Sequence, residues 1–185
     1  MNDSELKKNT DLIISEVDID QTIKRLADEL NHFFSQAPFK RQVITLYCVM
    51  NGGLYFTGQL IRHLEFPLKL NYLHASRYGD EITASHLNWF KRPQVEDIKN
   101  QHILLIDDIF DEGLTLEALY QECQSLGADS VHSVVLVDKQ HDRKPTSGYK
   151  PNFTGLKVED RYIFGCGMDY KGLYRNLPAI YALKP

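Results

Sequence analysis

Five residues with the means to hold a phosphorylated, hydroxyl-bearing ligand fall within nine positions: Asp107, Asp108, Asp111, Gly113 and Thr115. They follow directly on the apolar run Ile103-Leu104-Leu105-Ile106. The adjacent acids Asp107 and Asp108 can accept hydrogen bonds from vicinal hydroxyls. Gly113 permits a tight turn, so the amides of residues 111–115, the Thr115 hydroxyl and a following helix N-terminus can together cradle a phosphate dianion. Two plainer readings use the same residues. Acids after a strand can be a solvated turn that also caps a helix. They also match the magnesium site of phospho-receiver domains, but those carry the pair near their start and need a phosphoacceptor aspartate further on, which is missing here.

Such a constellation works only if a strand end and a helix start position it. Asp20 can cap a helix whose apolar positions Ile23, Leu26, Ala27, Leu30, Phe33 and Phe34 recur at three- and four-residue steps, ending before Pro38. The β-forming run Val43 to Val49 leads through Asn51-Gly52-Gly53 into a helical pattern from Leu54 to Leu64. Leu68 to His74 reads as a strand, and Ala75 to Gln94 as a polar, irregular, mobile loop too long for a quiet connection. After Ile103 to Ile106, a helix is expected from about Leu116 to Leu126, closed by Gly127, then a strand over Val131 to Val137. Buried strands alternating with helices predict an α/β fold with a mostly parallel sheet flanked by helices. From Thr146 onward, short Gly-, Pro- and Tyr-containing segments suggest a small appended subregion.

Bulk composition narrows the function classes. The chain has 185 residues and a net charge of −4, enough for a single domain and without a basic field for nucleic acid. Three distant cysteines, Cys48, Cys123 and Cys166, suit neither a disulfide framework nor a zinc site and point to a reducing cytoplasm. No apolar run approaches the roughly 18 residues of a membrane span. The seven histidines are scattered and read as surface or packing residues rather than metal ligands.

With acids, glycine and hydroxyl in register, the segment Asp107 to Thr115 resembles the phosphoribosyl pyrophosphate (PRPP) signature of type I phosphoribosyltransferases, and further segments resemble their bacterial 6-oxopurine branch. The likeness runs from about Thr10 to Leu183. It implies a single domain over residues 1–185, with a core at about 10–145 and a hood built from the N-terminal segment and about 146–185. The implied reaction is purine salvage: transfer of the 5-phosphoribosyl group from PRPP to N9 of hypoxanthine or guanine, giving IMP or GMP and pyrophosphate. A non-catalytic PRPP sensor of the same fold would need a basic face or an added DNA-binding unit, and the sequence offers neither.

Residue by residue, the resemblance puts the ribose hydroxyls on Asp107 and Asp108, and the 5-phosphate on Asp111, Glu112, Gly113, Leu114 and Thr115. Asp111 becomes the general base near purine N7. Asn51, Gly52 and Gly53, entered through a cis Met50–Asn51 bond, would bind pyrophosphate together with Arg175. Arg77 and Tyr78 match a lid, Lys139 the donor to the purine 6-oxygen, Tyr162 a ring stacked on the base, and the Ile163 backbone a contact to its Watson–Crick edge. Mg²⁺ is the implied cofactor, with Asp169, Asp107 and Asp108 as its carboxylates, and a homodimer or homotetramer the implied assembly. Three features depart from the family pattern and bear on phosphate and guanine contacts: Leu114 and Arg161, where lysine is common, and a lengthened stretch from Gln140 to Ser147.

Overall fold

Apolar runs without polar alternation are satisfied only between two covering layers, and this chain builds such a sheet. The computed structural model describes residues 8–77 and 87–184. In chain order the elements are β1 (Thr10–Ile14), α1 (Glu16–Phe34), β2 (Ile44–Met50), α2 (Gly53–Ile61), β3 (Leu68–Arg77), β4 (Leu87–Lys91) and α3 (Val95–Ile98). They continue with β5 (His102–Phe110), α4 (Leu114–Ser125), β6 (Ser130–Gln140), β7 (Phe153–Glu159), β8 (Ile163–Phe164) and β9 (Ile180–Leu183).

Six strands form the large sheet in the order β4-β3-β2-β5-β6-β7, and β1-β9-β8 form a small one. Within the large sheet every neighbouring pair is parallel except the edge pair β3–β4. Successive residues of the buried strands face opposite layers: Leu104 and Ile106 join the core under α1 and α2, whereas Ile103 and Leu105 join the one under α3 and α4. Burying both faces of β2, β5 and β6 is what makes their sequences continuously apolar.

Several boundaries differ from expectation. Helix α1 begins at Glu16 rather than after Asp20, because the Ser15 hydroxyl accepts from the Asp18 amide at 3.2 Å and satisfies one of the unpaired donors there. The stretch Ala75 to Gln94 is not irregular throughout. Strand β3 runs on to Arg77 and β4 returns antiparallel, with Trp89 opposite Ala75 and packed on the core below α4. Arg92 then ties this edge to α4 through Glu122, at 2.8 Å. The segment after Thr146 first supplies β7 to the large sheet, parallel to β6, before entering the small one. Gly155 allows that approach, since a Cβ there would run into the Leu136 carbonyl. The small sheet joins both chain ends, β1 pairing with β9, and its Ile14, Ile163 and Ile180 are continuous with the α1–α2 core.

Candidate active site

Strand β2 is flanked by β3 on one side and β5 on the other, so the order of connection reverses between β2 and β5. In open parallel sheets the crevice beyond the carboxyl ends at that point is the ligand site. Here it holds a cleft of about 460 Å³ lined by Asn51 and Gly52 from the end of β2, Asp107 to Ile109 and Asp111 to Thr115 from the end of β5 and the turn after it, and Asp169 and Arg175 from the small-sheet region.

One side of the cleft is backbone. Gly113 stands at the N-cap of α4 with φ +78°, and no side chain caps that helix, so its first amides face the cleft. A Cβ at Gly113 would enter the Phe110 ring. Across from it, Met50–Asn51 is a cis peptide, as the motif implied, and Gly52 lies so close to Asp108 that a Cβ would overlap the carboxylate. Gly53 likewise has the Ile106 carbonyl 2.7 Å from where its Cβ would be. A third backbone layer comes from the turn Gly165-Cys166-Gly167, whose φ values of +103°, +51° and +102° let it fold flat. A Cβ at Gly167 would strike the Gly52 carbonyl. Backbone thus stacks on backbone, and the glycines are required by contact.

The acid pair sits at the floor. Asp108 is buried, while Asp107 is partly exposed and accepts from the Asp108 amide at 3.0 Å. Burial, reinforced by the neighbouring Asp108 charge, pushes the Asp107 carboxyl well above the usual range. Burial also raises Asp108, offset in part by its hydrogen bond with Asp107 and by Arg175. A divalent cation relieves such a pair. Among the described residues no three His, Cys, Asp or Glu side chains converge as a metal cage. That donor set suits Mg²⁺, which is commonly held by one or two carboxylates together with substrate phosphates.

The other side of the site is built of side chains. A second pocket of about 220 Å³ adjoins the cleft, sharing Asp108, Ile109, Asp111, Asp169 and Arg175 and adding Lys139, Tyr162, Ile163 and Met168. Tyr162 is exposed and Ile163 buried, giving an aromatic face and a backbone edge at the same mouth. Lys139 Nζ lies 2.7 Å from Asp111 Oδ2, and His141 Nε2 lies 2.7 Å from Asp111 Oδ1. Partial burial acts to raise Asp111, but these two donors outweigh it and hold the carboxyl below the usual carboxylate range. Asp169 accepts from Arg175 and from the Gly172 amide, each at 2.7 Å, and Arg175 also donates to the Gly167 carbonyl at 2.6 Å.

The structure therefore gathers Asn51, Gly52, Asp107, Asp108, Asp111 to Thr115, Lys139, Tyr162, Ile163, Asp169 and Arg175 around two joined pockets. Gly53 supports them from behind as the first residue of α2. Arg77 ends β3, and Tyr78 lies outside the described residues. Arg161 turns away from the pocket, donating to Asp11 and to the Leu183 carbonyl. Sequence reasoning missed Ile109 and Met168, apolar walls of the second pocket, because they looked like core positions. It also missed His141, set aside with the other histidines; its place two residues after Lys139 was the available signal.

Comparison with known proteins agrees with this geometry. A family model described as phosphoribosyl transferase domain matches residues 15–171. The hypoxanthine-guanine phosphoribosyltransferase of Bacillus subtilis (strain 168) is 34% identical over 174 residues, covering 94% of this chain and 93% of that one. The hypoxanthine-guanine-xanthine phosphoribosyltransferase of Tritrichomonas foetus is 33% identical over 173 residues, covering 94% and 91%. A crystal structure of a hypoxanthine phosphoribosyltransferase from Staphylococcus aureus superposes with a TM-score of 0.84 at 29% identity, covering 100% of this chain and 97% of that one.

Proposed function

The chain belongs to the phosphoribosyl transferase family, and from that premise we propose that it is a purine-salvage enzyme that transfers the 5-phosphoribosyl group of PRPP to N9 of hypoxanthine or guanine. The observation that carries the choice of base is the Lys139–Asp111 pair, 2.7 Å apart at the junction of the two pockets. An ammonium only donates, so Lys139 pairs with a 6-oxo acceptor and would leave the 6-amino group of adenine facing another donor.

The division of labour follows from position. The uncapped start of α4, with Gly113, Leu114 and Thr115, takes the 5-phosphate, and Asp107 and Asp108 take the ribose hydroxyls. Asn51 and Gly52, with Arg175, meet the pyrophosphate. Tyr162 stacks on the purine while the Ile163 backbone meets its edge. When bound, Mg²⁺ supplies charge neutralisation at the departing pyrophosphate, and Asp169, Asp107 and Asp108 are the residues to hold it. As pyrophosphate leaves and N9 bonds to ribose C1, Asp111 accepts or steadies the N7 proton. Being held in its ionised form by Lys139 and His141, it is ready to receive that proton at neutral pH.

We extend the proposal to assembly and location. Leu70, Tyr72 and Phe90 are exposed on the β3–β4 edge and support self-association as a dimer or tetramer, which light scattering reads directly. Three free, buried cysteines support the cytoplasm; among the described residues no helix is long and apolar enough to cross a membrane.

The test is initial-rate turnover of hypoxanthine, guanine, xanthine and adenine with PRPP, with Mg²⁺ and with excess chelator. Conversion of hypoxanthine and guanine, lost on chelation and absent for adenine, is the expected result. PRPP binding without turnover of any base would replace an enzyme with a sensor.

A further inference from the structure

Resting on the reading of Asp111 as the group at purine N7, we propose that His141 is a positioning residue that orients the Asp111 carboxylate, and that the loop following β6 delivers it. The geometry is a short relay of contacts. The Arg143 backbone N–H donates to His141 Nδ1 at 3.1 Å, so Nδ1 is the accepting, proton-free nitrogen. The ring proton is thereby assigned to Nε2, which lies 2.7 Å from Asp111 Oδ1. Lys139 Nζ occupies the other oxygen at the same distance. With one donor on each oxygen, the carboxylate plane is set and each oxygen keeps a lone pair for a ligand.

His141 acts from behind. Its side chain is 4% exposed against 42% for Asp111, so the carboxylate meets the pocket and the imidazole does not. The loop carrying it is fastened on its far side. Lys144 Nζ donates to the Phe110 and Asp111 carbonyls, both at 2.7 Å, and to Asp138 at 2.9 Å. The Arg143 guanidinium grips Asp160 with two bonds, at 2.8 and 2.9 Å. Residue 143, whose amide fixes the tautomer, is thus held by its own side chain to the segment leading into β8.

Two donors on a carboxylate lower its basicity, so His141 does not strengthen the base. It removes orientational freedom at the reacting centre, where misplacement is costly. Because Lys144 rather than His141 holds the Asp111 backbone, the phosphate turn keeps its shape without the imidazole. Loss of His141 therefore falls on kcat and spares the KM for PRPP.

The experiment compares His141→Asn, His141→Gln, Asp111→Asn and Asp111→Asn combined with His141→Asn by steady-state kinetics with hypoxanthine. Asparagine places its amide near the Nδ1 position and keeps the Arg143 contact while losing Asp111; glutamine places an N–H near Nε2 and does the reverse. The expected result is a kcat about 10–100-fold lower for His141→Asn, the range that loss of an orienting partner produces at other sites. The KM for PRPP stays within about twofold, His141→Gln recovers most of the rate, and the double variant is no slower than Asp111→Asn alone. Equal rates for His141→Asn and wild type, a better rate for Asn than for Gln, or a full additional loss on top of Asp111→Asn would each overturn the proposal. Wild-type turnover by Asp111→Asn would instead remove the reading on which it rests.

Discussion

The two ends of the site are made differently. At the end proposed for phosphate much of the wall is backbone: the uncapped amides of α4 after Gly113, the cis turn at Met50–Asn51, and the glycine layer of Gly52 and Gly167. At the end proposed for the base the wall is built of side chains on separate elements, with Asp111 after β5, Lys139 at the end of β6, His141 in the loop beyond, and Tyr162 just before β8. On the proposed reading, phosphate needs only a fixed cradle. The purine must be told from its relatives, and that takes donors and acceptors of defined sense.

Substitutions at the base end should therefore strike turnover and choice of base, and those at the phosphate end should strike PRPP affinity and stability. Asp111→Asn has the largest expected effect, a fall in kcat of about 10²–10⁴, the usual worth of a positioned acid or base. PRPP affinity from isothermal titration should stay close to wild type, and parallel losses of rate and affinity would erase the contrast between the ends. Lys139→Met comes next. Losing a charged hydrogen bond worth about 1.5–3 kcal/mol should cut kcat/KM for hypoxanthine roughly 10–100-fold and narrow its lead over adenine, measured as the ratio of the two rates.

Gly52→Ala tests the opposite end. The new methyl group overlaps the Asp108 carboxylate, and overpacking of that kind costs about 1–3 kcal/mol. Weaker PRPP binding and a lower melting temperature are expected, with the ratio of hypoxanthine to guanine use unchanged; a shift in that ratio would mean that the two ends are coupled.

The smallest effect lies away from both. His132 is caged by Phe33, Phe34 and Phe39, and neither ring nitrogen has a hydrogen-bond partner. Burial, with a smaller contribution from His102, lowers its pKa. Its neutral form is the one that fits, so stability is complete above the unfolded histidine value of about 6.5 and falls as pH drops from there through the lowered folded value. His132→Leu should flatten the melting temperature between pH 7 and pH 5 relative to wild type while the preference among bases stays fixed. An unchanged slope would show that this histidine does not carry the pH dependence.

How much of this was legible follows the same division. Asp107 to Thr115 is one strand end, one turn and one helix start, so adjacent residues were bound to be adjacent in space. The Asn51-Gly52-Gly53 turn was legible for the same reason, whereas its cis bond was expected only through the family resemblance. Strand β4 is not legible within Ala75 to Gln94 because nothing local in Leu87–Lys91 announces its partner: that strand exists by pairing with β3, and Trp89 packs on the core, partly buried, only once the pairing is made. Strand β7 is hidden in the sequence among the short Gly-, Pro- and Tyr-containing segments after Thr146, whereas in the fold Gly155 serves close approach to Leu136.

The sequence by itself determined the alternating βα core and the phosphate turn, because backbone geometry and hydrophobic period act over a few residues. Only the tertiary structure decided that His141 meets Asp111, that Gly167 lies on Gly52, and that β1 pairs with β9 beside β8. Those encounters depend on where long connections bring separate elements, and a side chain's role there is set by the partner that arrives rather than by its own neighbours in the chain.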